Sequence, residues 1–298
     1  LAGKFSDGRF RRILLPVTPE YIGYTDVGLD ENMFVSQRPE IEEQADDFFK
    51  YRVNFDTLEI TEDIAALCVS RPTNPTGNVI TDEELQKLDA LAKQAEIPFI
   101  IDNAYGGPFP QMVFSGGSPF WNENVIVTMS LSKLGLPGMR TGIIIAKEEI
   151  IEALSNVTAV QSLAVSSAGP VLVQPWIENG EIIDISRRYI TPFYEKKARY
   201  ACEILKAGLE GLSFKVHVPE GAFFLWLWLP GLPITSHELY ERLKAKGVFI
   251  MSGHHFFPGL DEPWRHRDEC LRLSYSQDDE VVSAGIRIIC EEIRVLYM

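Results

Sequence analysis

Short apolar runs alternate with amphipathic stretches through the first half of the chain. The runs that predict buried strands are residues 64–70, 99–101, 125–129 and 142–146. After the first run, Thr81 and Glu84 form the pattern of a capping box, and leucines recur at helical spacing from 85 to 91. Strands that alternate with helices in this way predict an α/β fold built on a mostly parallel sheet flanked by helices.

The second half of the chain has a different pattern. It predicts a long amphipathic helix, an aromatic strand, a second helix, a further strand and a closing helix capped by Asp278, at residues 186–208, 223–229, 236–246, 271–275 and 279–293. We therefore expect residues 1–180 to be the remaining part of a large domain and residues 181–298 to be a smaller α+β domain.

Two further stretches are interpreted from their composition. Residues 40–47 are acidic and are interpreted as the solvated face of a helix. Residues 153–177 carry no charge but contain several serines, glutamines and prolines, so they are expected to be buried or interfacial and not to span a membrane.

Polar side chains follow three of the predicted strands. They are Asn74, Asp102, Tyr105, Ser130, Ser132, Lys133 and Arg140. In an open parallel sheet the carboxyl ends of the strands meet at one edge, where ligands bind, so we expect these side chains to lie together. A lysine in such a place can act as a nucleophile and form a Schiff base when desolvation or nearby cations lower its pKa. The alternative for a lone lysine is an ordinary surface residue.

Several motifs give this set a family resemblance. The motifs are Asn74-Pro75-Thr76-Gly77, Asp102-Asn103-Ala104-Tyr105, and Ser130-Leu131-Ser132-Lys133 followed by Arg140. In their order and spacing they resemble the class I and II aminotransferases, which are pyridoxal-phosphate enzymes of fold type I. The resemblance extends over most of the chain, including residues 221–226 and 272–274. It implies the fold type I architecture, with a large cofactor-binding domain and a smaller C-terminal domain.

The resemblance implies roles for the residues around the cofactor ring. Lys133 would hold pyridoxal 5'-phosphate covalently and then move a proton during catalysis. Asp102 would face the pyridine nitrogen and keep it protonated. Asn74 and Tyr105 would donate hydrogen bonds to the phenolate oxygen of the ring. Tyr21 would stack on the face of the ring, with a packed core tyrosine as the alternative.

It also implies which residues bind the two anionic groups. Ser130 and Arg140 would bind the cofactor phosphate, with Ser132 assisting from the same loop. Arg272 would bind the α-carboxylate of the substrate through both arms of its guanidinium, and Asn74 would also belong to the substrate-binding residues. Catalytic roles thus fall to Lys133, Asp102 and Tyr105.

Charge and cysteine content exclude some other classes. The chain of 298 residues has 28 basic and 42 acidic side chains, giving a formal net charge of -14, which is unfavourable for nucleic acid binding. The four cysteines are scattered without metal-ligand spacing, which favours a reducing cytoplasmic compartment. His254 and His255 are adjacent and their side chains diverge, so no metal site is expected.

The first residue is Leu1, and no signal-peptide pattern follows it. We therefore expect the chain to be a fragment, with the N-terminal arm and phosphate-cradling loop of the family lying upstream. A homodimer is expected because the family has its sites at a subunit interface.

The expected activity is amino transfer between a small aliphatic amino acid (valine or alanine) and a 2-oxo acid (pyruvate or 2-oxoisovalerate). Residues 102–110 and 132–138 resemble a subgroup with that preference. Two alternatives stay open. One is a pyridoxal-phosphate lyase on the same fold, and the other is an aminotransferase-like sensor domain behind a DNA-binding head.

Overall fold

A computed structural model describes residues 1–26 and 32–297. Its strands, in chain order, are β1 (Gly3–Lys4), β2 (Phe10–Leu15), β3 (Phe34–Ser36), β4 (Glu40–Glu43), β5 (Phe48–Arg52), β6 (Ile64–Ser70), β7 (Phe99–Asp102), β8 (Val125–Ser130), β9 (Gly142–Ile145), β10 (Lys215–His217), β11 (Phe224–Trp228), β12 (Met251–Ser252) and β13 (Cys270–Ser274). Its α-helices are α1 (Asp82–Gln94), α2 (Glu148–Ser162), α3 (Ala168–Glu178), α4 (Glu181–Ile185), α5 (Thr191–Leu209), α6 (Ser236–Ala245) and α7 (Asp279–Leu296).

The first sheet has the order β1-β2-β6-β7-β8-β9, with β3 paired to β2, seven strands in the described residues. The pairs from β3 through β2, β6, β7 and β8 are parallel, whereas β1 and β9 lie antiparallel at the two edges. This confirms the predicted mostly parallel sheet. The parallel pairing also places the carboxyl ends of β6, β7 and β8 side by side at one edge of the sheet, where a ligand site was expected.

Helix α1 connects β6 to β7 and begins where the sequence predicts. Thr81 Oγ1 accepts a hydrogen bond from the Glu84 amide at 3.1 Å, and Glu84 Oε2 accepts one from the Thr81 amide at 3.0 Å. Leu85 and Leu88 are fully buried against the sheet. The capping box and the apolar face together fix the start and the orientation of this helix.

The second sheet has the order β12-β13-β11-β10-β5-β4, six strands in the described part of the chain. Its strands β4 and β5 come from the first quarter of the sequence, and β5 lies parallel to β10. A division of the chain at residue 180 stays a prediction. The pairing adds that residues 40–52 contribute to the sheet that the later residues build.

The interpretation of residues 40–47 as a helix face is wrong. Residues 40–43 form β4, antiparallel to β5, with Ile41 opposite Tyr51 and Glu42 opposite Lys50. Glu42 also pairs with Arg52 at 2.6 Å. Because the acidic side chains of β4 meet basic side chains across the strand pair, the stretch is stabilised as an edge strand.

The uncharged stretch 153–177 lies in α2 and α3, and much of its apolar surface is exposed on this chain. Val160, for example, is 91% exposed, and Val157 and Leu163 are exposed as well. Of the two predicted positions, buried or interfacial, burial within the chain does not hold for these side chains, and the interfacial position stays a prediction. Among the helices described, none is long and apolar enough to cross a membrane.

The later elements agree with the sequence prediction in kind and differ at their ends. The predicted stretch 186–208 is helical, but residues 186–190 form a wider π-helical turn before α5 begins at Thr191. Asp278 precedes α7 but makes no side-chain cap hydrogen bond. Strands β11 and β13 lie next to each other, with Trp226 opposite Arg272.

A close contact between two glycines joins the loop after β6 to the second sheet. Gly77 has φ of +72°, and a Cβ there would lie 2.5 Å from the carbonyl oxygen of Gly221. Any larger residue at 77 would be strained in its backbone and would collide with that carbonyl. The contact fixes the loop that carries Asn74 against the start of β11.

Candidate active site

One cavity of about 650 Å³ contains every site residue that the sequence predicts. Its lining includes Tyr21, Asn74, Asp102, Tyr105, Ser130, Ser132, Lys133, Arg140 and Arg272. The cavity lies between the carboxyl ends of the first sheet and strands β11 and β13 of the second sheet. The sequence thus predicted residues that the fold brings together.

Lys133 lies in a short 3-10 turn, Leu131–Leu134, directly after β8. Ser130, the last residue of β8, begins the turn by accepting a hydrogen bond from the Ser132 amide at 3.1 Å. Lys133 Nζ lies 5.4 Å from the ring centre of Tyr105 and 5.5 Å from that of Phe223. The turn therefore projects the amine into the cavity between two aromatic rings.

Burial lowers the pKa of Lys133, and the nearby guanidinium groups of Arg272 and Arg140 lower it further, while Asp102 opposes them. A lowered pKa increases the fraction of neutral amine at physiological pH. The neutral amine is the form that attacks a carbonyl group and accepts a proton.

Asp102 ends β7 and is half-buried in the lining of the cavity. Its Oδ2 accepts a hydrogen bond from the Tyr24 hydroxyl at 3.1 Å, and its Oδ1 accepts one from the Ala104 amide at 3.2 Å. Burial raises the pKa of Asp102, and these hydrogen bonds only partly offset that effect. No basic side chain of the described residues forms an ion pair with it. A protonated ring nitrogen is the kind of cation that this carboxylate lacks, so the site fits the ring of pyridoxal phosphate.

Arg272 lies in the middle of β13 and reaches across to the first sheet. One of its terminal nitrogens, Nη1, donates to Asn74 Oδ1 at 2.8 Å. The guanidinium carbon lies 4.4 Å from the ring centre of Phe224 and 5.1 Å from that of Phe256. Its Nε is buried and has no hydrogen-bond partner within residues 1–26 and 32–297. A largely buried guanidinium with an unused donor fits a planar carboxylate ligand.

Ser130, Ser132 and Arg140 form the corner of the cavity where an anion would bind. Arg140 Nη1 lies 3.4 Å from Ser132 Oγ and 3.4 Å from the Pro137 carbonyl oxygen. These long contacts leave most of the guanidinium donors available. Two hydroxyl groups beside an arginine are a donor set that fits a phosphate group.

Tyr21 lies at the mouth of the cavity and is 40% exposed. It precedes a 3-10 turn, Ile22–Thr25, in which Tyr24 packs edge-on against it with 5.6 Å between ring centres. The exposure of Tyr21 argues against a packed core tyrosine. A ring placed here has one face available for a flat ligand.

The sequence reasoning missed other residues of the site. Tyr24, which hydrogen-bonds to Asp102, and Phe223, which packs beside Lys133, were not predicted. The spacing of Tyr21 and Tyr24 was a usable signal, because residues three apart lie on the same side of a 3-10 turn. Phe223 carried no comparable signal, since an apolar residue at the start of a buried strand is ordinary.

The expectation about metals concerned His254 and His255. Within the part of the chain that the structure describes, no group of three or more His, Cys, Asp or Glu side chains could hold a metal ion. Their rings lie 3.9 Å apart, centre to centre, on a short 3-10 turn after β12. All four cysteines are buried and unpaired.

The chain belongs to the class I and II aminotransferases. The family model described as aminotransferase class I and II matches residues 44–289. The fold expected from the sequence, that of the type I pyridoxal-phosphate enzymes, is confirmed by the solved structures it matches.

Within this family, the chain is similar to several individual proteins. The chain is 52% identical to the valine-pyruvate aminotransferase of Escherichia coli (strain K12) over 292 residues, which is 98% of this chain and 70% of that protein. The crystal structure of valine-pyruvate aminotransferase AvtA from Salmonella typhimurium LT2 matches with a TM-score of 0.92 and 48% identity, over 97% of this chain and 73% of that one. A putative amino-acid aminotransferase from Psychrobacter arcticum 273-4 matches with a TM-score of 0.97 and 47% identity, over 99% and 70% of the two chains.

Proposed function

We propose that this protein uses pyridoxal 5'-phosphate to transfer an amino group between a small aliphatic amino acid, valine or alanine, and a 2-oxo acid, pyruvate or 2-oxoisovalerate. The observation that carries the proposal is the single cavity in which Lys133, Asp102 and Arg272 face one another. Identity of 52% to a valine-pyruvate aminotransferase supports the substrate class. It also favours this activity over a lyase or a sensor domain.

The cofactor, when bound, would supply an electron sink for the electron pair left at the substrate Cα after its proton departs. Asp102 would accept a hydrogen bond from the ring nitrogen and hold the proton there. Asn74 uses its Oδ1 to accept from Arg272, and since no hydrogen bond from its amide Nδ2 is found in the described residues, Nδ2 would donate to the ring oxygen. Tyr105 would donate its phenolic proton to the same oxygen, because burial raises the pKa of Tyr105 and keeps it protonated.

Lys133 would perform the proton transfer. Its Nζ lies between the rings of Tyr105 and Phe223. The lowered pKa of Lys133 makes its neutral amine available as the base at the substrate Cα. Ser130, Ser132 and Arg140 would bind the phosphate, and Tyr21 would cover one face of the ring.

Arg272 would bind and orient the substrate. A bidentate contact with the α-carboxylate fixes the position of Cα relative to Lys133. Beside Arg272, Phe223 and Phe224 give the cavity an apolar wall, next to which Ser274 of the same strand as Arg272 adds one hydroxyl group. An apolar wall favours a small aliphatic side chain over an acidic one.

The test is to add pyridoxal phosphate to the purified protein, reduce with borohydride and map the modified peptide by mass spectrometry. We expect a pyridoxyl group on Lys133, none in Lys133→Ala, and normal labelling in Lys196→Ala, which changes an exposed lysine on α5. Valine and pyruvate should then give alanine and 2-oxoisovalerate in equal amounts. Ammonia release without amino transfer would contradict the proposal in favour of a lyase.

We further propose a cytoplasmic homodimer whose two active sites lie near the subunit interface, and a domain division near residue 180. The exposed apolar side chains of α2 and α3 support an interface on that side of the chain. Sedimentation analysis tests the dimer, and limited proteolysis tests the domain division. A monomer at micromolar concentration, or a chain cut evenly along its length, would contradict these two statements.

A further inference from the structure

Glu20 is a buried acid behind the cavity to which the mechanism above gives no role. Its side chain is 0% exposed. Its Oε1 accepts a hydrogen bond from the Ser70 amide at 2.8 Å, and its Oε2 contacts the Ser70 hydroxyl and lies 3.3 Å from the Tyr21 amide. Its own amide donates to the Phe256 carbonyl oxygen at 2.8 Å. One side chain thus links the segment that carries Tyr21 to the end of β6.

The position of Ser70 connects this link to the ring-nitrogen site. Ser70 is the last residue of β6 and is paired with Asp102 across the parallel strands. The titratable groups that face Glu20 are Asp102 on β7, Cys68 on β6 and Tyr24 in the turn after Tyr21. None of them is cationic, and no ion pair involving Glu20 is found in the described residues.

The charge of Lys133 favours the ionised form of Asp102, whereas Glu20 has no ion-pair partner in the described residues, so of these two neighbouring carboxyl groups Glu20 is the one that stays protonated at neutral pH. Complete burial is the main reason that the pKa of Glu20 rises to about 8, and the charge of Asp102 adds to it. Asp102 keeps two good hydrogen-bond donors, the Tyr24 hydroxyl and the Ala104 amide. When a cationic ring nitrogen is present, Asp102 faces it and Glu20 does not, so the single negative charge belongs on Asp102.

We propose that Glu20 is a positioning residue that fastens Tyr21 and Ser70 around the cofactor ring and stays protonated, which leaves Asp102 as the anion of the site. In this form the Glu20 hydroxyl donates to Ser70 Oγ, while Oε1 still accepts from the Ser70 amide. The role toward the ring rests on the proposed function. The neutral state of Glu20 does not, so it has a separate test.

The first experiment measures the unfolding midpoint of the cofactor-free protein in urea from pH 5 to pH 8.5. A raised folded-state pKa means that the folded chain holds a proton that the unfolded chain releases above about pH 4.5. Stability should therefore fall as pH rises toward 8. Glu20→Gln carries a permanently neutral side chain and should flatten this decline, whereas Glu59→Gln, at an exposed position, should not. A Glu20→Gln slope equal to that of the wild type would overturn the neutral state.

The second experiment measures the dissociation constant of pyridoxal phosphate from its absorbance change. Glu20→Gln should bind the cofactor within about threefold of the wild type. Glu20→Met, which keeps the length of the side chain but makes no strong hydrogen bond, should bind it about tenfold more weakly, the effect of losing a hydrogen bond to a buried partner. Both variants replace one side chain by another of similar size, so they are suited to retain the fold.

The outcomes separate the two proposals. Wild-type affinity in Glu20→Met would overturn the positioning role, and equal weakening in Glu20→Gln and Glu20→Met would overturn the neutral state. Failure of the wild-type protein to carry a label on Lys133 would count against the proposed function and the positioning role together. The urea series would then still decide whether Glu20 is protonated.

Discussion

The two walls of the cavity place their functional side chains in different ways. On the first sheet, Asp102 ends β7 and Lys133 follows β8, so both lie in loops at strand ends. On the second sheet, Arg272 lies in the middle of β13, between Leu271 and Leu273 of the core. Polar groups at strand ends reach solvent or ligand without crossing a core, whereas a mid-strand arginine must be buried to act.

This difference explains why local sequence patterns predicted the functional residues of the first wall but not the arginine of the second. A strand-end residue is recognised from an apolar run followed by a polar motif. A mid-strand arginine carries no such signal, and Arg272 was predicted only through the family resemblance of its neighbourhood. In the structure, its unpaired buried Nε is the observation that indicates a ligand.

The largest expected effect comes from removing the functional group of the second wall. Arg272→Ala should lower kcat/KM for valine by about 100-fold or more, because a buried charge-assisted contact with the substrate carboxylate is lost. Steady-state kinetics with the holoenzyme measure it, and Arg287→Ala, at an exposed position on α7, is the matched control. A loss below about threefold would mean that another group binds the carboxylate.

The next largest effect, on stability, is expected at the contact between Gly77 and Gly221, which joins the two walls and is called the joint below. Gly77→Ala places a Cβ 2.5 Å from the Gly221 carbonyl oxygen at a φ of +72°. We expect it to lower the free energy of unfolding by about 3 kcal/mol, the sum of backbone strain and collision. Gly231→Ala is the control, because Gly231 has φ of +76° and nothing within 4 Å of a built Cβ. It should cost only about 1 kcal/mol, the backbone part alone.

Urea unfolding of both variants decides the matter. Equal losses in Gly77→Ala and Gly231→Ala would mean that the loop after β6 can move away from β11. The joint would then not fix the distance between Asn74 and Arg272.

Much of the first sheet was predictable because each element carried a local signal. Strand β6 and the start of α1 have the predicted residues, since an apolar run and a capping box are local features. The prediction of a helix for residues 40–47 was wrong, because β4 is stabilised by Arg52 and Tyr51 of the neighbouring strand. The acidic sequence of β4 itself does not reveal these partners. Composition likewise could not predict that the apolar side chains of α2 are exposed on this chain.

The site shows the same limit. The motifs found Asn74, Asp102 and Lys133, because each motif follows a strand. Glu20 and Tyr24 were missed, since their importance depends on Ser70 and Asp102, which are distant in sequence. Partners across the fold, and not the residue types themselves, give these side chains their roles.

The smallest effect expected compares the helices that the two sheets carry. Helix α1 beside the first sheet and α6 beside the second both begin with a capping box, at Thr81 and Thr235. Thr81→Ala and Thr235→Ala should each lower the free energy of unfolding by about 1 kcal/mol, the usual loss for an N-cap threonine. Urea unfolding measures both, with Thr158→Ala as the control, because Thr158 lies inside α2, caps no helix and donates its hydroxyl to the Leu154 carbonyl oxygen of the same helix.

The glutamates of the two capping boxes, Glu84 and Glu238, differ in their further contacts, so replacing each one tests whether a box also links the two sheets. Glu84 of the first capping box also contacts strand β5 of the second sheet. Its Oε2 lies 3.5 Å from Nη1 of Arg52, the last residue of β5, and its Oε1 accepts a hydrogen bond at 3.1 Å from the amide of Val53, the next residue. Glu238 of the second box has no such link to another strand among its hydrogen bonds in the described chain. Glu84→Ala should therefore cost about 1 kcal/mol more than Glu238→Ala, because it also leaves the Val53 amide without its partner. Equal losses would show that the contacts of Glu84 with Val53 and Arg52 add nothing to the capping box and do not help to tie the two sheets together.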